Sequence, residues 1–325
     1  MKCYSLSEFS QAPKTKPRFV VVGAFDGVHR GHQHLVSTTR QSALENGGEL
    51  IVLTFWPPPN YFLAGQRFQF LTTKRRRAQL FEHFGADALV TIPFDAAMAN
   101  RSAWTFAADV LDRQLQADQV VVGYNFTFGR NAEGHAARLE ALAAQLGFEV
   151  TVLPPVFLGG KPVSSTRIRH LLMAGDVASA AHLLGRFHDV TGRVIPGETR
   201  GRKLGFPTAN LRIQSPALLP AKGVYAVEVA HNDTALGLGV ANVGSSPTFS
   251  QGQSDSRSVE VHLIDKAGNW YGEALTVYFL AWLRKTKVFD HPDKLTAQIA
   301  RDVRVTKQLA RTDARESLQH GLRLC

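Results

Sequence analysis

The chain has 325 residues, 44% hydrophobic and 20% charged. That balance excludes a disordered polypeptide, and at roughly 150 residues per domain it predicts two domains, each able to bury its own core. Lys and Arg (37) exceed Asp and Glu (27), leaving a formal charge of +10 that suits anionic partners, nucleotide or nucleic acid, without choosing between them.

Only two cysteines occur, Cys3 and Cys325, so neither a disulfide framework nor a cysteine-type metal site is expected. No apolar run approaches the roughly 18–20 residues needed to span a bilayer. A reducing, cytoplasmic setting is expected, with no membrane partner.

Residues 1–17 are polar, contain Pro13 and Pro17, and leave room for an edge strand. Residues 19–22 form a β-branched run ending at Gly23, the mark of a buried parallel strand. A helix is predicted over 31–45 and a second strand over 50–55, stopped by Pro57-Pro58-Pro59. Residues 73–84 read as a basic amphipathic helix with Leu80, Phe81 and Phe84 inward. A third strand is predicted at 89–92, then a helix at 102–115 with Trp104, Phe106, Val110 and Leu111 as core candidates. A fourth strand at 119–122 ends at Gly123, a helix covers 138–146, and a fifth strand covers 148–153. Strands alternating with helices predict a doubly wound parallel sheet, whose ligands sit beyond the carboxyl ends of strands, here after Val22, Phe55, Val122 and Leu153.

Two short helices are predicted at 166–173 and 177–184, with Gly175 ending the first and Asp176 capping the second. The pattern then changes to short alternating stretches at 225–230, 236–240, 259–263 and 276–281. Turn residues separate them, among them Asn232-Asp233 and Ala267-Gly268-Asn269. This predicts a small antiparallel β barrel. Pro292 and Asp293 open a long final helix rich in Lys and Arg. The boundary falls near 186–189, giving domains 1–186 and 187–325.

Several strings carry residue types suited to chemistry. A strand-like run at 190–195 leads into a loop with glycines at 197, 201 and 205, which holds Arg200, Arg202 and Lys203 and ends in Phe206-Pro207-Thr208-Ala209-Asn210. It reads either as a basic surface loop or as an anion cradle in which Thr208 and Asn210 offer neutral oxygens to a hard cation such as Mg²⁺. Gly23-Ala-Phe-Asp-Gly-Val-His-Arg-Gly-His32 comes directly after the first strand. Its His29 and His32, three apart at a helix start, are either structural or placed to stabilise charge on a nucleotide α-phosphate. Gly123-Tyr-Asn-Phe-Thr-Phe-Gly129 puts Phe126 and Phe128 either in the core or beside a flat ring. Ser164-Ser-Thr-Arg-Ile-Arg169, at a helix start, is either a capping box or a phosphate clamp. Strand alternation puts Glu260 and His262 on one face.

The string from Gly192 to Leu211 closely resembles the nucleotide and metal loop of riboflavin kinases, G-x-x-x-G-R-x-L-G-F-P-T-A-N. His29-Arg-Gly-His32 resembles the H-x-G-H signature of nucleotidyltransferases. Together the motifs resemble the bacterial bifunctional riboflavin kinase/FAD synthetases, from about residue 18 to about residue 304. The resemblance implies an N-terminal FMN adenylyltransferase domain and a C-terminal riboflavin kinase barrel. Riboflavin, FMN, FAD and ATP are the implied substrates and products, with Mg²⁺ as cofactor.

In the first domain the resemblance assigns His29, His32, Ser165, Thr166 and Arg169 to the ATP phosphates. Gly23, Phe25, Asp26, Gly27 and Ser164 lie in the same nucleotide strings, and Asn125, Phe126 and Phe128 lie towards the flavin. In the second it makes Glu260 the general base on the ribityl 5′-hydroxyl. Gly201, Lys203, Gly205, Pro207 and Thr208 meet the nucleotide, Thr208 and Asn210 the metal, and Arg284 and Phe289 the flavin. His262 is left structural.

One departure stands out. The family usually carries Pro-His-Pro after the second strand, and here Pro58 occupies the His place, while Ala24 stands where Asn is common. Proline has no side-chain donor and no N–H. Losing one preorganised phosphate donor costs on the order of 10²–10³ in rate in other enzymes. The alternative expectation is therefore a working kinase with a weakened, silent or nucleotide-altered transferase. A third reading, a flavin-sensing or nucleic-acid-binding regulator, draws on the charge and the basic run at 74–77, but no helix-turn-helix or RNA-binding signature supports it.

Overall fold

The structure is a computed structural model, and it describes residues 1–64, 68–197, 204–213, 216–245, 257–266 and 268–309. It divides into two compact units, Met1–Ser164 and Ser165–Cys325.

The first unit is built on a six-stranded sheet. Its strands are β1 (Lys2–Ser5), β2 (Arg18–Val22), β3 (Glu49–Phe55), β4 (Ala88–Ile92), β5 (Gln119–Gly123) and β6 (Glu149–Leu153), in the order β1-β4-β3-β2-β5-β6. Every pairing is parallel. The predicted doubly wound sheet is thus present, with β1 as the edge strand for which the leading segment leaves room. β2 is buried at all five positions, as a central parallel strand covered on both faces must be. One face, with Val20, Val22, Ile51 and Leu53, packs on Phe106, Val110, Leu111, Leu139 and Leu142.

Among the helices of this unit with side-chain caps are α1 (Arg30–Glu45), α2 (Lys74–His83) and α3 (Ala136–Leu146). His29, Thr73 and His135 accept from the amides of His32, Arg76 and Arg138, one at each helix start.

The segment predicted as a helix at 102–115 is instead one short α turn, Ala103–Thr105, continued by a π-helix, Phe106–Gln114. The wider π turn keeps Phe106, Val110 and Leu111 in the core but leaves Trp104 on the outside, 45% exposed. The expectation that Trp104 is core is wrong for that reason. Phe84, expected inward, is only half-buried.

The second unit opens with α4 (Ser165–Ala174) and α5 (Val177–Leu184), capped by Asp176 and ended by Gly185 in the left-handed region. These helices pack with the barrel, where the Ala221 amide donates to the Leu172 carbonyl. The second compact unit therefore includes them.

Six antiparallel strands close the barrel: β7 (His188–Ile195), β8 (Ala209–Ile213), β9 (Gly223–His231), β10 (Thr234–Ser245), β11 (Arg257–Leu263) and β12 (Ala274–Arg284), in the order β7-β8-β11-β10-β9-β12. Asn232 and Asp233 turn β9 into β10 with φ of 48° and 62°, the two-residue geometry that suits the strand twist. Tyr225 meets Phe279 and Trp282 edge to face, at 5.3 and 5.1 Å, in the barrel unit.

The final helix, α6 (Pro292–Leu309), is tied to β12 by one charged clasp. The Arg284 guanidinium donates to both carboxylate oxygens of Asp302, Nη2 at 2.8 Å and Nε at 3.0 and 3.1 Å. Gln298 donates to the same carboxylate at 2.9 Å. Asp302 is buried, and removing one partner of a buried pair strands the other. Asp302→Ala is therefore expected to destabilise the second unit by about 3 kcal/mol, most of it recovered when Arg284→Met is added. Urea unfolding followed by tryptophan fluorescence checks both; a double variant no more stable than the single one refutes the account.

Candidate active sites

The first candidate site lies where β2 and β3 end. Gly23 leads into Ala24-Phe25-Asp26-Gly27-Val28, which crosses the sheet edge with two side-chain-bearing residues in the left-handed region, Phe25 at φ 51° and Val28 at φ 39°. For a β-branched residue such as Val28 this conformation is costly and persists only when the surroundings over-determine it. They do. The Asp26 carboxylate accepts from the amides of Leu71 (3.1 and 3.2 Å) and Thr72 (3.2 Å). The Gly27 amide donates to the Thr72 hydroxyl at 3.1 Å. From α2, Arg77 Nη1 donates to the Ala24 carbonyl at 2.8 Å, and its Nη2 lies 3.6 Å from Asp26. A Cβ at Gly23 would stand 2.9 Å from the Phe25 ring, so a side chain there would have to displace that buried ring.

That loop delivers His29 to the start of α1. The His32 amide donates to His29 Nδ1 at 3.3 Å. An amide can only donate, so Nδ1 accepts and the ring proton sits on Nε2. The His32 ring stacks on His29 with centroids 3.6 Å apart and an interplanar angle of 17°, and its edge meets Phe25 at 5.2 Å. The spacing of three therefore does bring both imidazoles together at a helix N-terminus.

Gly23, Phe25, Asp26 and Gly27 shape this loop, and Asp26 is turned inward, 5% exposed. Burial pushes the Arg77 guanidinium below its ordinary pKa, and the Asp26 charge works against that shift. Pro58, in the place where the resembling family has His, is buried just beyond β3. Trp56, two residues earlier, has its ring under the Arg77 guanidinium at 5.1 Å.

Of the residues expected towards a flavin, Asn125 is exposed and Phe126 half-buried, and the Phe126 ring stacks on Phe128 at 5.4 Å. Phe128 itself is core, 7% exposed and tilted against Phe106. Ser164 closes the first unit. Ser165, Thr166 and Arg169 lie on the first two turns of α4, with Thr166 exposed and the others half-buried.

The second candidate site is a row across three barrel strands. On β11, Val259, Val261 and Leu263 are buried, and Glu260 and His262 face the other way, as the alternation predicts. Glu260 is paired directly with Asn210 of β8 on one side and Asn242 of β10 on the other. Gly197 leaves no room for a Cβ against the Asn210 carboxamide. Thr286 donates to Asn242 Oδ1 at 3.2 Å, bringing the segment after β12 to the same row.

His262 holds the approach: its Nδ1 donates to the Pro207 carbonyl at 2.9 Å and its ring meets Phe206 edge-on at 5.2 Å. Gly205 turns at φ 81°, and Pro207 and Thr208 are exposed beside it. Gly201 and Lys203 lie outside the described residues. Thr208 hydroxyl and Asn210 amide oxygens, beside the Glu260 carboxylate, are a hard-oxygen donor set that fits Mg²⁺ shared with phosphate oxygens. Arg284 lies 5.9 Å from the Phe289 ring, its donors committed to Asp302 and to the Lys285 carbonyl.

Sequence reasoning gives no role to three residues. Asn242 opens a string that shares in the riboflavin kinase resemblance, and strand register adds that it stands beside Glu260. Asp302 and Arg77 sit in helices whose Lys and Arg read as solvated faces.

Residues 11–167 match the FAD synthetase family model and residues 184–310 the riboflavin kinase model. The bifunctional riboflavin kinase/FMN adenylyltransferase of Escherichia coli (strain K12) is 34% identical over 304 residues, 91% of this chain and 94% of that one. The Bacillus subtilis (strain 168) protein of the same name is 33% identical over 286 residues, 87% and 89% of the two chains. A solved Streptococcus pneumoniae structure, named as a macrolide-efflux protein, superposes with a TM-score of 0.85 at 30% identity, covering 94% of this chain and 99% of that one. Among the described residues no helix is long and apolar enough to cross a membrane. With relatives above 30% identity matched along nearly their whole length, this chain belongs to the bifunctional riboflavin kinase/FMN adenylyltransferase family.

Proposed function

We propose that the chain performs two successive steps of flavin cofactor synthesis. The barrel unit phosphorylates riboflavin with ATP to give FMN, and the parallel-sheet unit transfers AMP from ATP to FMN, giving FAD and pyrophosphate. The observation that carries the reading is the Asn210–Glu260–Asn242 row, a carboxylate flanked by two amides beside a glycine-turned loop.

In the kinase step the riboflavin 5′-hydroxyl oxygen bonds to the γ-phosphorus, the bond from that phosphorus to the bridging oxygen breaks, and ADP leaves. A hydroxyl is a poor nucleophile until its proton is accepted, and Glu260 accepts it. Thr208 and Asn210 hold Mg²⁺, which when bound neutralises charge on the phosphate oxygens. Gly205 and Pro207 bring backbone to the nucleotide. Phe289 faces the flavin ring, and Arg284, fixed by Asp302, sets that aromatic in place.

In the transfer step an oxygen of the FMN phosphate bonds to the α-phosphorus of ATP and pyrophosphate departs. His29 and His32 stabilise the charge on the α-phosphate, His29 through Nε2–H because Nδ1 is engaged in the cap. Ser164, Ser165, Thr166 and Arg169 bind phosphate through hydroxyls and guanidinium, aided by the helix N-terminus of α4. Asn125 and Phe126 meet the flavin, with Phe128 supporting Phe126 from the core. The cytoplasm is the expected compartment, where the +10 chain meets anionic small-molecule substrates.

Glu260→Gln is expected to abolish FMN formation from riboflavin, while FAD formation from supplied FMN continues at its normal rate. Chromatography of both reactions decides; an unchanged kinase turnover ends the base assignment.

Incubation with FMN, Mg²⁺ and each of the four nucleoside triphosphates should give a dinucleotide product with ATP. Pro58→His should raise that rate, by up to about 10² if the imidazole recovers a phosphate donor, and leave the kinase unchanged. No product with ATP would overturn the transferase assignment, and an unresponsive Pro58→His would show that position 58 does not meet phosphate.

A further inference from the structure

Among the buried arginines of the first unit, Arg18 and Arg77 lie at opposite ends of β2, and they are treated differently. Arg18, at the amino end, is satisfied throughout. Nε donates to Glu49, Nη1 to the Leu115 carbonyl and Nη2 to the carbonyls of Ala12 and Pro13, with Phe9 under the guanidinium at 4.6 Å. Arg77, at the carboxyl end, is equally buried, with 2% of its side chain exposed, yet makes one short hydrogen bond, to Ala24. Its Nε and Nη2 have no hydrogen-bond acceptor among the described residues. Leaving buried donors unmet is costly, and a residue serving only packing would be cheaper as an apolar side chain.

What Arg77 does touch lies at the candidate site. It reaches the Ala24 carbonyl after β2, the Asp26 carboxylate, and the Trp56 ring after β3. The Ala24 carbonyl belongs to the peptide entering Phe25, the first left-handed residue of the loop. Holding that carbonyl fixes the path that ends at His29, whose ring caps α1 and stacks on His32.

We propose that Arg77 is a positioning residue for nucleotidyl transfer, holding the Ala24-to-Val28 segment in its left-handed path so that the His29–His32 pair meets the transferring phosphoryl group. This rests on the transferase role proposed for that pair. Misplacing a reacting group by 1 Å can cost about 10²-fold in rate, so the effect belongs in kcat.

The test uses the full chain with Arg77→Met, Arg77→Lys and, as a control for the underlying reading, His29→Asn. Arg77→Met should lower kcat for FAD formation from FMN and ATP by about 10²-fold with KM for both substrates nearly unchanged. Arg77→Lys, which keeps a donor for the Ala24 carbonyl, should recover about tenfold of that loss. Riboflavin kinase turnover in both should equal that of the parent chain.

A Met variant that retains its transfer rate, or one that raises KM at constant kcat, overturns the proposal. So does a Lys variant no better than Met. Should the Met variant lose the first unit's fold by circular dichroism, the Lys variant decides: reduced kcat at constant KM supports positioning, and parental kcat refutes it. If His29→Asn keeps its transfer rate, the reading of the histidine pair fails; if it loses transfer while Arg77→Met does not, only the positioning proposal fails.

Discussion

Strand register is the constraint on which the proposed kinase site depends. Glu260 stands opposite Asn210 and Asn242 because β11 pairs with β8 and β10 in one register. Side chains alternate with a period of two, so a slip of one residue would turn Glu260 into the core and Val261 outward. Val259, Val261 and Leu263, all buried, therefore lock the carboxylate in place through their own burial. Closing the barrel removes the edge at which such a slip would begin.

The first site depends on a different device. A parallel sheet ends in loops, and nothing in strand pairing fixes where those loops go. Here the path after β2 is held by Asp26 accepting backbone amides, Thr72 meeting Gly27, and Arg77 holding Ala24. These contacts compensate for two residues in the left-handed region. The histidine pair inherits its geometry from that loop, because His29 is both its last residue and the cap of α1.

The difference explains what is legible in the sequence. β-branched runs such as 19–22 read as buried strands because central parallel strands face apolar layers on both sides. The alternation at 259–263 correctly places Glu260 outward. β8 reads as the end of a loop, since only Ala209 and Leu211 of its five residues are buried and it comes after glycines and a proline. The π-helical turn at Phe106–Gln114 has no local signature, so helical periodicity wrongly puts Trp104 inside. Arg76 and Arg77 look like part of a solvated basic run, and their burial comes from packing that charge counts do not report. Asp302 pairs with an arginine 18 residues away, which no periodicity reveals.

Position 58 bears on the first site alone. A buried proline there contributes neither a side-chain donor nor an amide. In the proposed transfer, His29 has Nδ1 committed to the helix cap. Where donors are few, their placement matters more than their number, because preorganised donors act only if aimed at the position where charge develops. A buried guanidinium with unmet donors, pressed against Trp56 and the Ala24 carbonyl, makes physical sense in that setting. Its cost in stability is set against the accuracy with which the remaining imidazoles are held.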